Sequence, residues 1–424
     1  MQDARLRYRD DLTRLRVEWA PSEHLAVVNE SYYLRSDRNW RNAEAYAWRP
    51  DERAIELSDF IEIRHLQTQR GNRTHAVTSH RLFGLENRVA VGFDLNRIDF
   101  EHINNSPYGG ALLVDVDQPG LRAFVNLAGT YPRYGTDSRQ FSLFAEDRLS
   151  LTQRWTLVTG LRHDEIEVER ADLVNGGGFE KRFHPTNWRI GTVFAVTPTL
   201  AAYGQYATHA GHLGSLITTS ASQAQYDLST GEQWEIGIKH GFAGGEWTLA
   251  AYDITRRKLL STDPDEPSVT QQIGAQSSRG IEGTLALRLA QGLRLDANVA
   301  VLEARYEDFV ERVGDQAVDR SGNTPRGIPE RTANLWLRWA FHEGWQASAG
   351  WRYVGSRYVN NANDRRVGSY NTADLNVSWR ATDNVTATVR LDNAFDRIYS
   401  TSASTSQWLL ARPRTLSLWV DAYF

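Results

Sequence analysis

With 424 residues, 48 of them basic and 52 acidic, the chain has a formal charge of -4, too balanced for phosphate neutralisation or for a polybasic membrane arm. Cysteine is absent and Met1 is the only methionine, which excludes disulfide scaffolds, thiolate metal sites and thiol nucleophiles. The 41% hydrophobic fraction is low and no window approaches the roughly 18 consecutive apolar residues of a membrane helix, yet 11% of residues are aromatic; a transmembrane β-barrel accommodates both.

Strict two-residue alternation runs along the chain where a soluble helix would show a 3.6-residue stripe. In EQWEIGIKHGF, Trp234, Ile236, Ile238 and Phe242 face away from Gln233, Glu235 and Lys239. In LRLDANVAV, Leu293, Leu295, Ala297, Val299 and Val301 oppose Arg294, Asp296 and Asn298. The pattern continues with Leu335, Leu337, Trp339 and Phe341 against Asn334, Trp336 and Arg338, then with Leu375, Val377 and Trp379 against Asp374, Asn376, Ser378 and Arg380. A wall wet on one side only is implied. About 17 antiparallel strands are predicted, near 12–20, 24–38, 61–83, 88–100, 139–151, 154–170, 187–196, 199–208, 231–242, 246–258, 278–290, 293–306, 331–342, 345–355, 371–380, 385–393 and 413–424.

Short linkers such as PSEH, TQR, TP, AGG, QG, HEG and TDN alternate with long polar connections at 36–60, 101–138, 171–186, 209–230, 259–277, 307–330, 356–370 and 394–412. Outer-membrane barrels have this asymmetry, with tight periplasmic turns and long extracellular loops. Single-chain bacterial barrels have even strand numbers, so an odd count with descending first and last strands implies a missing ascending strand. MQDARLRYRDD has no apolar signal-peptide core and no small-residue cleavage site, so either an export signal has been removed or the sequence is a fragment of a longer gene, and the charged, already alternating start favours the fragment.

Several segments resemble the C-terminal barrel of TonB-dependent receptors, of the ferric-siderophore class. SLFAEDRLSLTQRWTLVTGLRHDEIEV resembles that family's descending strand, tight turn and ascending strand, with Phe144, Glu146, Asp147, Trp155, Gly160, Leu161, Arg162 and Asp164. GEQWEIGIKHGFAGGEWTLAAYDITRRKL is similar to a family hairpin through Glu235, Gly237, Lys239, Asp253, Ile254 and Thr255, and PRGIPERTANLWLRW to a Pro-marked start of a late strand. The end is the most specific part: Asn393, Phe395, Asp396 and Tyr399, then Arg412, Pro413 and Arg414, then a strand finishing at Phe424. The resemblance covers roughly 12–424, treated as one barrel domain over 1–424 that lacks the family's plug, its TonB box and the first of about 22 strands.

The residues also have readings of their own. Asn393 and Asp396 can bond backbone groups at a strand end, and Pro413 suits the start of a strand, where a lost donor costs least. Leu416, Leu418, Val420, Ala422 and Phe424 share one face; under the resemblance, Phe424 is the signal read by the outer-membrane barrel assembly machinery.

Catalytic constellations are absent from the pattern, and no enzyme is expected. Gly176, Gly177 and Gly178 lack the strand-helix context and the Lys-Ser/Thr partner of a phosphate loop. His209 and His212 form a pair without a third metal ligand, and no metal site is expected. Asp164 and Glu165 point to opposite faces of a strand.

The aromatics divide into two groups. Trp19, Trp155, Trp234, Trp247, Trp339, Trp345, Trp351 and Trp379 lie on apolar faces, as in an interfacial girdle. Trp40, Trp48, Tyr108, Tyr131, Tyr134, Tyr226, Tyr358, Tyr370 and Trp408 lie in or near long connections, several beside Arg41, Arg49, Arg133 or Arg357. Tyr108, Tyr131, Arg133, Tyr134, Tyr226, Tyr358 and Trp408 are the candidate ligand residues, through stacking, cation–π contact and charge-assisted hydrogen bonds; loop self-packing is the alternative for each.

The resemblance implies an outer-membrane receptor for a ferric siderophore, with the chelate as transported ligand and no covalently bound cofactor. Its partners would be the TonB–ExbB–ExbD complex, outer-membrane lipid and the assembly machinery, with no nucleic acid. Import of cobalamin, haem or an oligosaccharide, a passive porin-like barrel, and a soluble all-β enzyme or carbohydrate-binding protein are the other readings.

Overall fold

The computed structural model describes residues 3–211, 216–218, 224–262, 270–405 and 407–423. No helix among these residues is long and apolar enough to cross a membrane. The chain divides into two compact units, residues 1–147, 160–187 and 211–225, and residues 148–159, 188–210 and 226–424.

The first unit is built from β1 (Arg5–Ser22), β2 (Leu25–Arg49), β3 (Ala54–Leu82), β4 (Leu85–Asn104), the short β5 (Gly109–Asp115), most of β6 (Tyr131–Ser150) and β7 (Trp155–Asp172), and the short β8 (Gly178–Phe183). Antiparallel ladders join β1 to β2 and β2 to β3, and β3 carries β4 along its lower part and β5 at its top. The β3–β4 hairpin closes on Phe83 and Gly84, both at positive φ (52° and 83°), the backbone that a two-residue turn needs to match strand twist. Register then follows by reflection about that turn, from Leu82 opposite Leu85 to Ile63 opposite Asn104.

The second unit contains most of β9 (Thr186–Ala195), and β10 (Leu200–Ala210), β11 (Thr230–Phe242), β12 (Gly245–Thr262), β13 (Thr270–Ala290), β14 (Leu293–Asp308), β15 (Val310–Val313), β16 (Gln316–Asp319), β17 (Arg331–His342), β18 (Trp345–Val354), β19 (Arg357–Tyr358), β20 (Arg366–Val367), β21 (Tyr370–Thr382), β22 (Val385–Asp392), β23 (Ser400–Ala403), β24 (Trp408–Leu410) and β25 (Thr415–Ala422). The long strands pair antiparallel in sequence order from β9 to β25, and β15–β16, β19–β20 and β23–β24 form small ribbons in the connections. Setting aside these ribbons and the short β5 and β8 leaves 17 long strands among the described residues, the number predicted.

Alternation fixes the faces. On β4, Val89, Val91, Phe93 and Leu95 point outward and Ala90, Gly92, Asp94 and Asn96 to the other side. In the second unit Trp234, Ile236, Trp339, Trp379, Leu416 and Leu418 stand exposed on one face, while Trp336 lies on the opposite face over Gly350. Large apolar side chains exposed in rows belong against hydrocarbon, and strands paired along their length meet that demand. Near the short turn His342–Gly344, Trp345 stacks on Trp379 at 5.6 Å and Phe341 lies 5.4 Å from Trp339, the arrangement expected of a girdle. The girdle residues Trp19, Trp155, Trp234, Trp339, Trp345, Trp351 and Trp379 are all exposed, and Trp247 is half-buried on the same face as Leu249.

The connections correct several expected boundaries. Residues 36–60 are wall rather than loop: β2 continues to Arg49 and β3 starts at Ala54, leaving a tight one-turn corner at 50–53. β1 begins at Arg5 rather than near residue 12, and β6 at Tyr131 rather than 139. Beyond the apolar band polar and apolar residues share both faces of a strand, so the ladder survives while the alternation that reveals it disappears. Trp40, Trp48, Tyr131, Arg133 and Tyr134 therefore lie on strands, not in loops.

At the C-terminal end, Asn393 (φ 49°) donates from Nδ2 to the carbonyls of Arg397 and Arg412 and accepts from the Arg397 amide. Asp396 (φ 51°) accepts from the Arg414 amide at 2.8 Å. Asp164 is buried while Glu165 is exposed on the other face. Gly176 and Gly177 turn at positive φ beside Asp172, whose carboxylate caps the Val174 and Asn175 amides.

A cation and aromatic cluster on the polar face of the first unit

On β4 the outward face changes from Leu95 to Arg97, Asp99 and Glu101, and on β6 from Phe141 to Arg139 and Asp137. The apolar band ends there. With about 9–11 residues needed to cross a bilayer, the 29 residues of β3 and 20 of β4 carry the wall well beyond it. The opposite, polar face of this extension bears the cluster.

Its floor is a small apolar core of Ile98, Phe100, Ile166 and Val168, covered by Phe179 and Phe183 of β8 and by Leu216 and Ile217. One row above it, His65 faces His102 across the β3–β4 ladder, with His65 Nε2 2.8 Å from His102 Nδ1. Asn104 Nδ2 lies 3.0 Å from His102 Nε2; the amide can only donate, so His102 carries its proton on Nδ1 and donates it to His65. The chain of bonds requires both rings to be neutral. Burial, then the Arg38 charge, pushes His65 down to about 4; burial, then His65, Arg170 and Arg133, pushes His102 down to about 4.

The row extends across the unit. Tyr8 pairs with Arg38 and Arg38 with His65, and the Arg38 guanidinium lies 5.7 Å from the Tyr8 ring and 5.4 Å from Trp40. On the other side Tyr134 stacks on His102 at 4.6 Å with 9° between the rings, and Arg170 lies over Tyr134 at 3.3 Å. Arg133 Nε donates to Asn104 Oδ1 at 2.7 Å, and Asn104 Nδ2 to the Tyr108 hydroxyl at 2.9 Å. Burial raises the Tyr108 and Tyr134 hydroxyls, so neither is a phenolate at neutral pH.

Of the candidate ligand residues, Tyr108, Arg133 and Tyr134 come together here. Tyr131 begins β6 and is exposed. The others belong to the second unit: Tyr358 lies under Arg366 at 4.3 Å, Trp408 is exposed on a small ribbon, and Tyr226 is half-buried. In that unit Tyr370 stacks on Tyr399 at 4.1 Å, and Arg357 donates to the Ser400 carbonyl at 2.5 Å. Phe424 and His212 lie outside the described residues, and among those residues no group of three or more His, Asp or Glu side chains is placed to hold a metal.

His65, His102, Arg38 and Arg170 escaped the sequence reading. The signal for the pair was present, since residues equidistant from the Phe83–Gly84 turn face each other. A groove of about 700 Å³ on the outward face, lined by Arg70, Arg97, Arg139, Glu167 and Arg182, is a weaker candidate. Its arginines are largely paired, Arg97 and Arg139 with Asp137 and Arg182 with Glu167.

A family model described as TonB dependent receptor-like, beta-barrel, matches residues 2–394. The metal-pseudopaline receptor CntO of Pseudomonas aeruginosa is 26% identical over 417 residues, 94% of this chain and 54% of that protein. The ferrichrome outer membrane transporter/phage receptor of Escherichia coli is 25% identical over 340 residues, 76% of this chain and 39% of that one. The chain thus spans about half the length, or less, of these curated relatives. Among solved structures, the siderophore receptor PiuA of Acinetobacter baumannii superposes with a TM-score of 0.84 at 18% identity, covering 99% of this chain and 65% of that one. BauA, the ferric preacinetobactin receptor of the same species, gives 0.81 at 17% identity, covering 98% and 63%.

Proposed function

The chain belongs to the TonB-dependent receptor β-barrel family, and on that premise we propose that it forms the wall and part of the ligand site of a bacterial outer-membrane importer of ferric siderophores. The observation that carries this reading is the cluster around His65, His102, Tyr134 and Arg170: a row of aromatic and cationic side chains on the polar face, above the apolar band, where a large polar chelate meets the receptor first. The siderophore and metallophore receptors that the chain resembles support it. The chemistry asked of the chain is binding and passage, with no bond made or broken, and the TonB–ExbB–ExbD complex would supply the energy.

In this reading the outward rows contact outer-membrane lipid, and the terminal strand with Phe424 presents the signal for the assembly machinery. The test is iron-limited growth and uptake of radioactive iron in cells that lack other siderophore receptors and express the gene. Chelate uptake that stops when the proton gradient is collapsed, and falls in a Tyr134→Ala variant, supports the proposal. Uptake of small solutes without energy, with no chelate uptake, overturns it in favour of a porin.

A further inference from the structure

We propose that the tip of the β3–β4 hairpin, residues 82–85 with Phe83 at its point, is a membrane-docking element that seats in the headgroup and acyl boundary of the phospholipid leaflet on the short-turn side. The inference rests on the membrane wall described above and adds a lipid contact beyond its outward rows. Phe83 is 95% exposed, and its backbone is left-handed at φ 52°. Water disfavours the bare ring, and the bulky side chain disfavours the conformation. Among the described residues, the other non-glycine positions at positive φ are Arg53, Asp59, Lys258, Asn363, Asn393 and Asp396, all polar. A two-residue turn with both φ positive takes Asn-Gly or Asp-Gly most readily, so phenylalanine before Gly84 is held there in a strained backbone. Strain kept at an exposed apolar point directs attention to function.

The neighbours identify the occupant. Leu82 and Leu85 form the last cross-strand pair of the hairpin, and Leu85 continues the outward row of Val89, Val91, Phe93 and Leu95. Asn87, the polar member of that row, is 4% exposed and donates from Nδ2 to the Asp147 carboxylate, so it does not open the row to water. The tip is therefore continuous with the lipid-facing surface. Residues 85–95 of β4 match the roughly 9–11 residues that one tilted strand uses to cross a bilayer, which places Phe83 just past the hydrocarbon edge. An aromatic ring is favourable at that depth. Other short turns carry polar residues there instead: Glu23 and His24, Gln291 and Gly292, Glu343 and Gly344, Asp383 and Asn384.

The test uses the absence of cysteine from the chain. Phe83→Cys, Val91→Cys and Glu343→Cys, each carrying a nitrobenzoxadiazole label, are folded into phosphatidylethanolamine–phosphatidylglycerol vesicles. Quenching is read from nitroxides on the upper acyl chain and from iodide on both sides of the bilayer. The label at 83 should be quenched by the nitroxides and shielded from iodide, like that at 91, whereas the label at 343 should be open to iodide. Phe83→Asn suits the turn better, yet it should shift the urea folding equilibrium in these vesicles about tenfold towards the unfolded chain, because burial of the ring is lost. With 91 shielded, a label at 83 as open to iodide as that at 343, or a Phe83→Asn variant that folds as well as the parent, overturns the docking and leaves the membrane wall standing; the tip would then be free for a protein partner. A label at 91 that is also open to iodide overturns the wall and the docking together.

Discussion

His65 and His102 face each other across one antiparallel ladder, and a single proton lies between them over 2.8 Å. Because both are held at about 4, the folded protein keeps them neutral where an unfolded chain would protonate them. Between roughly pH 6.5 and 4 the unfolded state binds more protons, so stability falls as pH falls through that window and is fully present above it. Histidine ring-proton NMR should give midpoints near 4 rather than 6.5, and His102→Asn should flatten the pH dependence of unfolding in the same window. Midpoints near 6.5 would show that the rings are solvated and the dyad is not formed.

Gly92 on β4 lies opposite His75 on the polar face, where a methyl group would press on the Thr74 carbonyl oxygen and come within 2.6 Å of Phe144 Cζ. Phe144 is itself held under Arg73 at 4.9 Å, so the space cannot open easily. Gly92→Ala should cost about 1–3 kcal/mol, the usual range for overpacking. Gly241→Ala, with nothing within 4 Å of the added carbon, should cost far less. Guanidinium unfolding midpoints in detergent compare the two, and equal midpoints would contradict the packing described for Gly92.

What could be read in the sequence depended on which side of the apolar band a residue occupies. Inside the band one strand face must be apolar, so Leu335, Leu337 and Trp339 declared their strand, and 331–342 emerged with its boundaries intact. Above it, residues 39–49 and 54–60 mix polar and apolar side chains on both faces, so their pairing left no alternation to read. The same blindness hid the site. Tyr108, Arg133 and Tyr134 were legible as aromatic and cationic residues near a long connection, but Arg170 comes from another strand and reaches Tyr134 only through the fold.

Asn393 is 4% exposed and ends β22 in a left-handed conformation that asparagine tolerates better than most residues. Its amide donates to Asp374, and its side chain ties together residues 397 and 412 at the base of the connection that leads to β25. Asn393→Ala removes those side-chain bonds and adds backbone strain, for a loss of about 1–3 kcal/mol. Limited proteolysis should then cut within 394–412 much faster than in the parent, with Asn393→Asp between them because it keeps the acceptor for the Arg397 amide. Unchanged cleavage would mean that the connection is held by other contacts.

Val377 and Asn376 are neighbours on β21 with opposite fates. Val377 pairs with Ala347 and Val389 on the outward apolar face, whereas Asn376 pairs with Ser348 and Arg390 on the polar one. If the outward face meets hydrocarbon, Val377→Arg should destabilise the folded chain in phospholipid vesicles by about 2–4 kcal/mol, the cost near the bilayer midplane. Asn376→Arg places the same side chain in water beside polar neighbours and should cost little. A soluble sheet exposes both faces to water and predicts small, similar effects, so folding titrations of the two variants in vesicles decide between the architectures. Equal stabilities would remove the membrane wall on which the rest of the reading depends.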